Sequence, residues 1–149
     1  MYTLKTIRLP IQSFKNNKRT KQEEYMKITM PEFNKVSKEL LQSMPYQYIG
    51  SNINVCIETD EFTCLCPWTG LPDFAHLKIC YVPNKVVVEL KSLKMYLQSY
   101  RMVGMVHESV VNSIIKDLKE LLKTKQIFVE LVFKIRGGLT TTVSAGSIK

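Results

Sequence analysis

The sequence predicts an α+β domain in the order strand, strand, helix, helix, strand, strand, with an antiparallel sheet covered by the helices on one face. Three observations carry this. Apolar residues recur at every second position over 53–57, 75–81 and 127–135, the period of strands with one buried face. They recur at three- and four-residue spacing between 93 and 122, the period of amphipathic helices. Pro- and Gly-bearing segments at 67–72 and 136–138 join the flanking strands too briefly for a parallel crossover, which needs a helix-sized connection.

Each element follows from local pattern. Phe33, Val36, Leu40 and Leu41 predict a short helix over 32–43, which Pro45 stops. NINVCIET then alternates Ile53, Val55 and Ile57 against Asn54, Cys56 and Glu58, a half-buried strand. Pro67, Gly70 and Pro72 mark a loop. AHLKICYV sets Ala75, Leu77, Ile79 and Tyr81 against His76, Lys78 and Cys80, a second strand ended by Pro83-Asn84. VVVEL (86–90) leads into a helix expected to be capped by Ser92 and to run to about Val103, with Leu93, Tyr96, Leu97 and Tyr100 on one face. Gly104 breaks it. A second helix, about Ser109 to Lys123, carries the stripe Val110, Val111, Ile114, Leu118, Leu121 and Leu122. Ile127, Val129, Leu131, Phe133 and Ile135 share one side of a third strand, Arg136-Gly137-Gly138 turns the chain, and LTTTV (139–143) is the last strand. A four-stranded antiparallel sheet has two open edges, so assembly of copies through them is expected.

A chain of 149 residues suits one domain, and 45% apolar with 23% charged residues suits a globular core. The net charge of +8 favours anionic partners. Between Lys5 and Lys27 stand seven basic residues against Glu23 and Glu24, so residues 1–30 read as a basic extension and 31–149 as the folded domain. The stretch mostly lacks the aromatic and arginine-rich interleaving of a tRNA-binding arm, so direct nucleic-acid binding is not expected. No apolar run reaches the length of a bilayer span, and the N-terminus has no secretory pattern. The expectation is a cytoplasmic protein, no membrane contact, and four reduced cysteines.

Cys64 and Cys66, one residue apart in FTCLCPWTGLPDFA (62–75), raise the chemical question. Structural zinc sites come as paired knuckles, and no second knuckle is present, so no metal is expected. A dithiol redox site prefers two intervening residues at a helix start. Cys56 and Cys80 read as buried fillers within strands. For Cys64 and Cys66, spacing leaves filler and nucleophile equally open, with Asp73 available as a proton partner. His107 and Glu108 open the second helix. Glu108 suits the helix dipole, and equally suits the paired N–H edge of a guanine-like ring.

FTCLCPWTGLPDFA, followed by ELKSLKMY (89–96) and VHE (106–108), resembles the 7-cyano-7-deazaguanine reductases, the QueF family. The resemblance spans about residues 45–140, and only Met95 departs, mildly, from the family's second motif. It implies the tunnelling fold, assembled as a ring or barrel of identical subunits with active sites between them. It places the nucleophile on Cys66 and the acid/base on Asp73, with Cys64 a neighbour. It places the deazapurine substrate against Val88, Glu89, Leu90, His107 and Glu108. It implies NADPH as cofactor, held by Lys91, Ser92 and Lys94, with Arg136 a further phosphate candidate. The absence of a G-x-G-x-x-G run agrees that phosphates would meet lysine and arginine side chains and helix N-terminal amides. The implied chemistry is thioimide formation between Cys66 and the nitrile, then two hydride transfers to the aminomethyl product, in tRNA queuosine biosynthesis. Weaker alternatives are a QueF-like amidinotransferase acting on the nitrile in tRNA, a non-catalytic basic RNA-binding module, and a zinc-dependent purine cyclohydrolase.

Overall fold

The computed structural model describes residues 35–148 of the chain. The basic extension expected over 1–30, and the first residues of the helix expected over 32–43, lie outside the described residues. The elements in order are β1 (Ser43–Pro45), β2 (Val55–Leu65), β3 (Pro72–Tyr81), β4 (Val86–Val88), α1 (Leu90–Gln98), α2 (His107–Leu122), β5 (Ile127–Phe133) and β6 (Thr142–Ser147). Four strands form one antiparallel sheet in the order β2-β3-β5-β6, and β1 pairs with β4 as a separate ribbon.

The inward row follows the predicted alternation over Leu77–Tyr81 and Ile127–Phe133, but Ile53 and Ile135, expected on the same faces, lie outside the strands and are 42% and 74% exposed. Leu77, Ile79, Tyr81, Ile127, Val129, Leu131 and Phe133 are buried against Leu93 and Tyr96 of α1 and Val110, Val111, Ile114, Leu118 and Leu122 of α2. The helices therefore cover one face, and burying their stripes there is the main favourable term in folding. Under α1 and α2 lies a polar chain. The Tyr96 hydroxyl donates to Asp117 Oδ2 at 2.8 Å, the Tyr100 hydroxyl lies 2.7 Å from that of Tyr96, and the Tyr100 and Ser113 hydroxyls are 2.9 Å apart. Every buried hydroxyl in it is partnered, as burial demands.

Several local expectations are corrected. Within the described part of 32–43 there is only a 3-10 turn, Lys38–Leu40, followed by β1. Tertiary partners override the weak helical spacing: the Gln42 carbonyl accepts the Glu89 N–H at 2.9 Å, and the Gln42 N–H donates to Ser92 Oγ at 3.0 Å. The first helix is capped by Glu89 instead of Ser92. Its carboxylate accepts the N–H groups of Lys91 at 2.8 Å and Ser92 at 2.6 Å. The helix ends at Gln98 and passes into a 3-10 turn, Ser99–Met102. The last strand lies at Thr142–Ser147, because Arg136 and Leu139 close a tight turn that consumes the start of the expected strand.

Cys56 and Cys80 are not separate fillers. They stand directly opposite each other on β2 and β3, on the face away from the helices, and are joined as a disulfide. Cross-strand partners on one face bring their Cβ atoms close enough for this bond. Cys64 and Cys66 are free. Among the described residues, no helix is long and apolar enough to cross a membrane.

Candidate active site

A β-bulge aims the cysteines. Thr59 pairs with Leu77 but Phe62 pairs with Ala75, so β2 carries one extra residue between them. The bulge shifts the inward positions of β2 from odd to even numbers. Phe62 and Cys64 consequently point into the core, 2% and 0% exposed. Cys64 lies opposite Asp73, and burial pushes its thiol up to about 12, with Asp73 and Cys66 adding to the effect.

Beyond Leu65 the chain leaves the sheet. The Cys66 N–H donates to the Leu71 carbonyl and the Gly70 N–H to the Cys66 carbonyl, both at 2.9 Å, so residues 66–71 form a closed loop. Gly70 has φ 67, a conformation L side chains rarely adopt. The loop is anchored to the segment before α2. Leu65 donates to the Val103 carbonyl and Met105 to the Leu65 carbonyl, each at 3.0 Å. A Cβ on Gly104 would lie 3.4 Å from Pro67 Cα, so the two segments pass within van der Waals contact there. Through this tie the cysteine loop sits beside His107 and Glu108.

Cys66, Asp73, His107, Glu108 and Arg136 line one cavity of about 280 Å³, with Trp68 at its rim. The Cys66 thiol is lowered to about 7. The Thr69 hydroxyl contributes most, followed by the Thr69 and Trp68 backbone N–H groups and by Arg136, against an opposing effect of burial. Asp73 continues the inward row of β3 by one step, which explains why a carboxylate is only 8% exposed. Arg136 Nη1 donates to its Oδ1, and His107 Nε2 lies 3.4 Å from its Oδ2. The His107 ring stacks on Phe133 with centroids 3.5 Å apart and planes at 7°, which fixes its orientation. Glu108 is exposed in the first turn of α2.

The structure thus brings together Cys66, Asp73, His107 and Glu108, and adds Arg136, which the sequence offered only as a phosphate contact. Thr69 and Phe133 were not foreseen as site residues. Nothing local marks Thr69, while Phe133 was legible only as a core position.

Val88, Glu89, Leu90, Lys91, Ser92 and Lys94 do not line the cysteine cavity. A groove of about 330 Å³ runs between the β2 edge and α1, lined by Ile57, Phe62, Leu90, Leu93, Lys94 and Leu97. Lys91 is exposed, and Lys94 approaches Glu61 at 3.9 Å. Val88 is buried, its N–H donating to the Tyr81 hydroxyl at 3.2 Å. Ser92 is 7% exposed, and its hydroxyl donates to the Glu89 carbonyl at 2.7 Å. That hydroxyl and the α1 N-terminal amides taken by Glu89 are therefore already satisfied within the chain.

A free thiol of near-neutral acidity and a buried carboxylate line one cavity of an antiparallel α+β scaffold, the residue types of an enzyme site. The scaffold is that of a solved archaeosine synthase QueF-Like in the apo form, a tunnelling-type fold, with TM-score 0.60 and 22% identity over 65% of this chain and 95% of that one. The chain belongs to the QueF-like protein family, whose profile matches residues 72–149. It is 50% identical over 115 residues to the NADPH-dependent 7-cyano-7-deazaguanine reductase of Caldanaerobacter subterraneus subsp. tengcongensis, covering 76% of this chain and 84% of the relative. The enzyme of the same description from Thermomicrobium roseum is 50% identical over 109 residues, covering 73% and 84%.

Proposed function

We propose that this chain reduces the nitrile of 7-cyano-7-deazaguanine to the aminomethyl group with NADPH, as a step in queuosine biosynthesis. The observation that carries the reading is the Cys66–Asp73 pair, a free thiol of near-neutral acidity and a buried carboxylate in one cavity, in a chain half identical to reductases of that description. A thiolate attacks the nitrile carbon, and Asp73, as the acid/base, protonates the nitrile nitrogen to give a thioimide on Cys66. Covalent attachment holds the intermediate while the four-electron change is completed in two steps.

Lys91 and Lys94 fit the phosphates of NADPH. Both are exposed cations on α1, three residues apart, and Lys94 borders an apolar groove. NADPH, when bound, supplies the two hydrides. Glu108 is the proposed anchor of the deazapurine, its carboxylate accepting two ring N–H groups. Replacing Glu108 by Gln leaves one acceptor and one mismatched donor. Steady-state kinetics should then show KM for the nitrile raised about tenfold to a hundredfold, with a smaller loss in kcat. An unchanged KM would remove Glu108 from substrate recognition.

The reading is tested by incubating the intact protein with the nitrile and weighing it. One substrate mass added without NADPH, and nitrile-dependent loss of NADPH absorbance, are the expected results. An adduct without NADPH consumption would instead favour the amidinotransferase reading.

Within one chain the cysteine cavity and the α1 groove have no lining residue in common. Both sheet edges, β6 and, apart from its bridge at Leu65, β2, are unpaired among the described residues. These two facts support an oligomer in which neighbouring copies join edges and complete each other's sites. Analytical ultracentrifugation should show a species several times the 17.2 kDa chain mass. A monomer with full activity would defeat the shared-site arrangement.

A further inference from the structure

We infer that Arg136 is a positioning residue for the nucleophile: its guanidinium ties Asp73 to the Cys66 loop through Thr69 and holds the sulfur beside its proton partner before any cofactor is present. This rests on Cys66 as the nucleophile and goes beyond the phosphate contact expected of Arg136.

The geometry is a fork with two targets. Nη1 donates to Asp73 Oδ1 at the start of β3, and Nη2 donates to Thr69 Oγ1 in the cysteine loop at 2.7 Å. A planar guanidinium can serve both acceptors at once, whereas an ammonium is a single point charge. Thr69 Oγ1 also accepts the Leu71 N–H at 3.3 Å. With its oxygen engaged by two donors, the hydroxyl proton is left for the Cys66 sulfur. Thr69 is the largest single influence on the acidity of that thiol, and Arg136 acts on it directly as well. The turn that carries Arg136 is built to aim it. Arg136 and Leu139 exchange backbone hydrogen bonds at 3.0 and 3.1 Å, and Gly137 and Gly138 sit at φ 58 and 81.

Electrostatics give the arrangement its purpose. Asp73 and a Cys66 thiolate are two negative groups in one cavity, and like charges so placed disfavour each other's ionised forms. The other titratable groups facing the sulfur are Cys64 from β2 and His107 and Glu108 from α2. Arg136 supplies the permanent positive charge among them. It favours the ionised sulfur, and the proton that Cys66 gives up passes to Asp73 and from there to the nitrile nitrogen.

The test reads the thiol itself, without nitrile or cofactor. Iodoacetamide alkylation of Cys66, followed by peptide mass across pH, should show a midpoint about 7 in the parent chain. Arg136→Gln should move it upward by about one pH unit, and Arg136→Lys by less. With the nitrile added and NADPH withheld, adduct formation by Arg136→Gln at pH 7 should fall about fivefold and recover at pH 9. Circular dichroism confirms that each variant is folded, and Arg136→Lys decides the matter if Arg136→Gln is not. Profiles that superpose on the parent, with only the KM for NADPH raised, overturn the inference and leave Arg136 a phosphate contact. A parent thiol that titrates as expected and shifts in the variants, but takes up no nitrile, upholds the positioning role and defeats the nitrile reading instead.

Discussion

Cys66→Ala should lose the covalent nitrile adduct entirely and lower NADPH-dependent turnover by at least about a thousandfold. Alanine keeps the backbone of the closed loop, whose hydrogen bonds run through main-chain atoms of Cys66, Gly70 and Leu71. The loss therefore reports the sulfur and not the fold. The paired control is Cys64→Ala. Cys64 is fully buried, and its thiol stays protonated at neutral pH. Removing its sulfur takes away a packing atom beneath Asp73, so the thermal midpoint should fall by a few degrees while the adduct still forms. Intact mass measured with the nitrile, on both variants, separates the two cysteines. An adduct that survives Cys66→Ala and vanishes in Cys64→Ala would reverse the assignment.

Asp73→Asn should cost about a hundredfold to ten-thousandfold in turnover while the protein remains folded. The amide oxygen can still accept from Arg136, and Arg136 is 39% exposed at its side chain, so water can meet its remaining donors. What asparagine lacks is the carboxylate that takes the Cys66 proton and passes it to the nitrile nitrogen. Thioimide formation needs protonation of the nitrile nitrogen as the sulfur attacks, so cofactor-free adduct formation should slow along with turnover. Removing the negative charge of Asp73 favours a Cys66 thiolate, so the alkylation midpoint should stay at or below about 7 while turnover falls. A variant with normal turnover would show that another group carries the proton.

Much of the scaffold was legible because each element obeys a local period. The burial pattern of β5 is a strict alternation from Ile127 to Phe133, and the stripe of α2 from Val110 to Leu122 is the expected face. The same reasoning failed wherever a partner distant in sequence decided the outcome. Leu40 and Leu41 have helical spacing, yet only a 3-10 turn forms there, and the chain beyond extends to pair β1 with β4. Ser92 has the chemistry of a cap, yet Glu89 reaches the same amides first, and Ser92 is bound to Gln42. Cys56 and Cys80 looked independent because only the register of β2 on β3 sets them face to face.

By itself, the sequence determined the two hairpins, the two helices and the loop that presents Cys66, while the pairing of Cys66 with Asp73 came from the resemblance to the QueF family. Periodicity and turn chemistry act between near neighbours, so a single chain can be read for them. Tertiary structure alone decided three further matters. The bulge in β2 turned Cys64 into the core. The Leu65–Gly104 contact set the cysteine loop beside His107 and Glu108. The turn after β5 delivered Arg136 to Asp73, 63 residues away. Such contacts follow from sheet register and from where a turn closes, and residue identity at either end does not encode them.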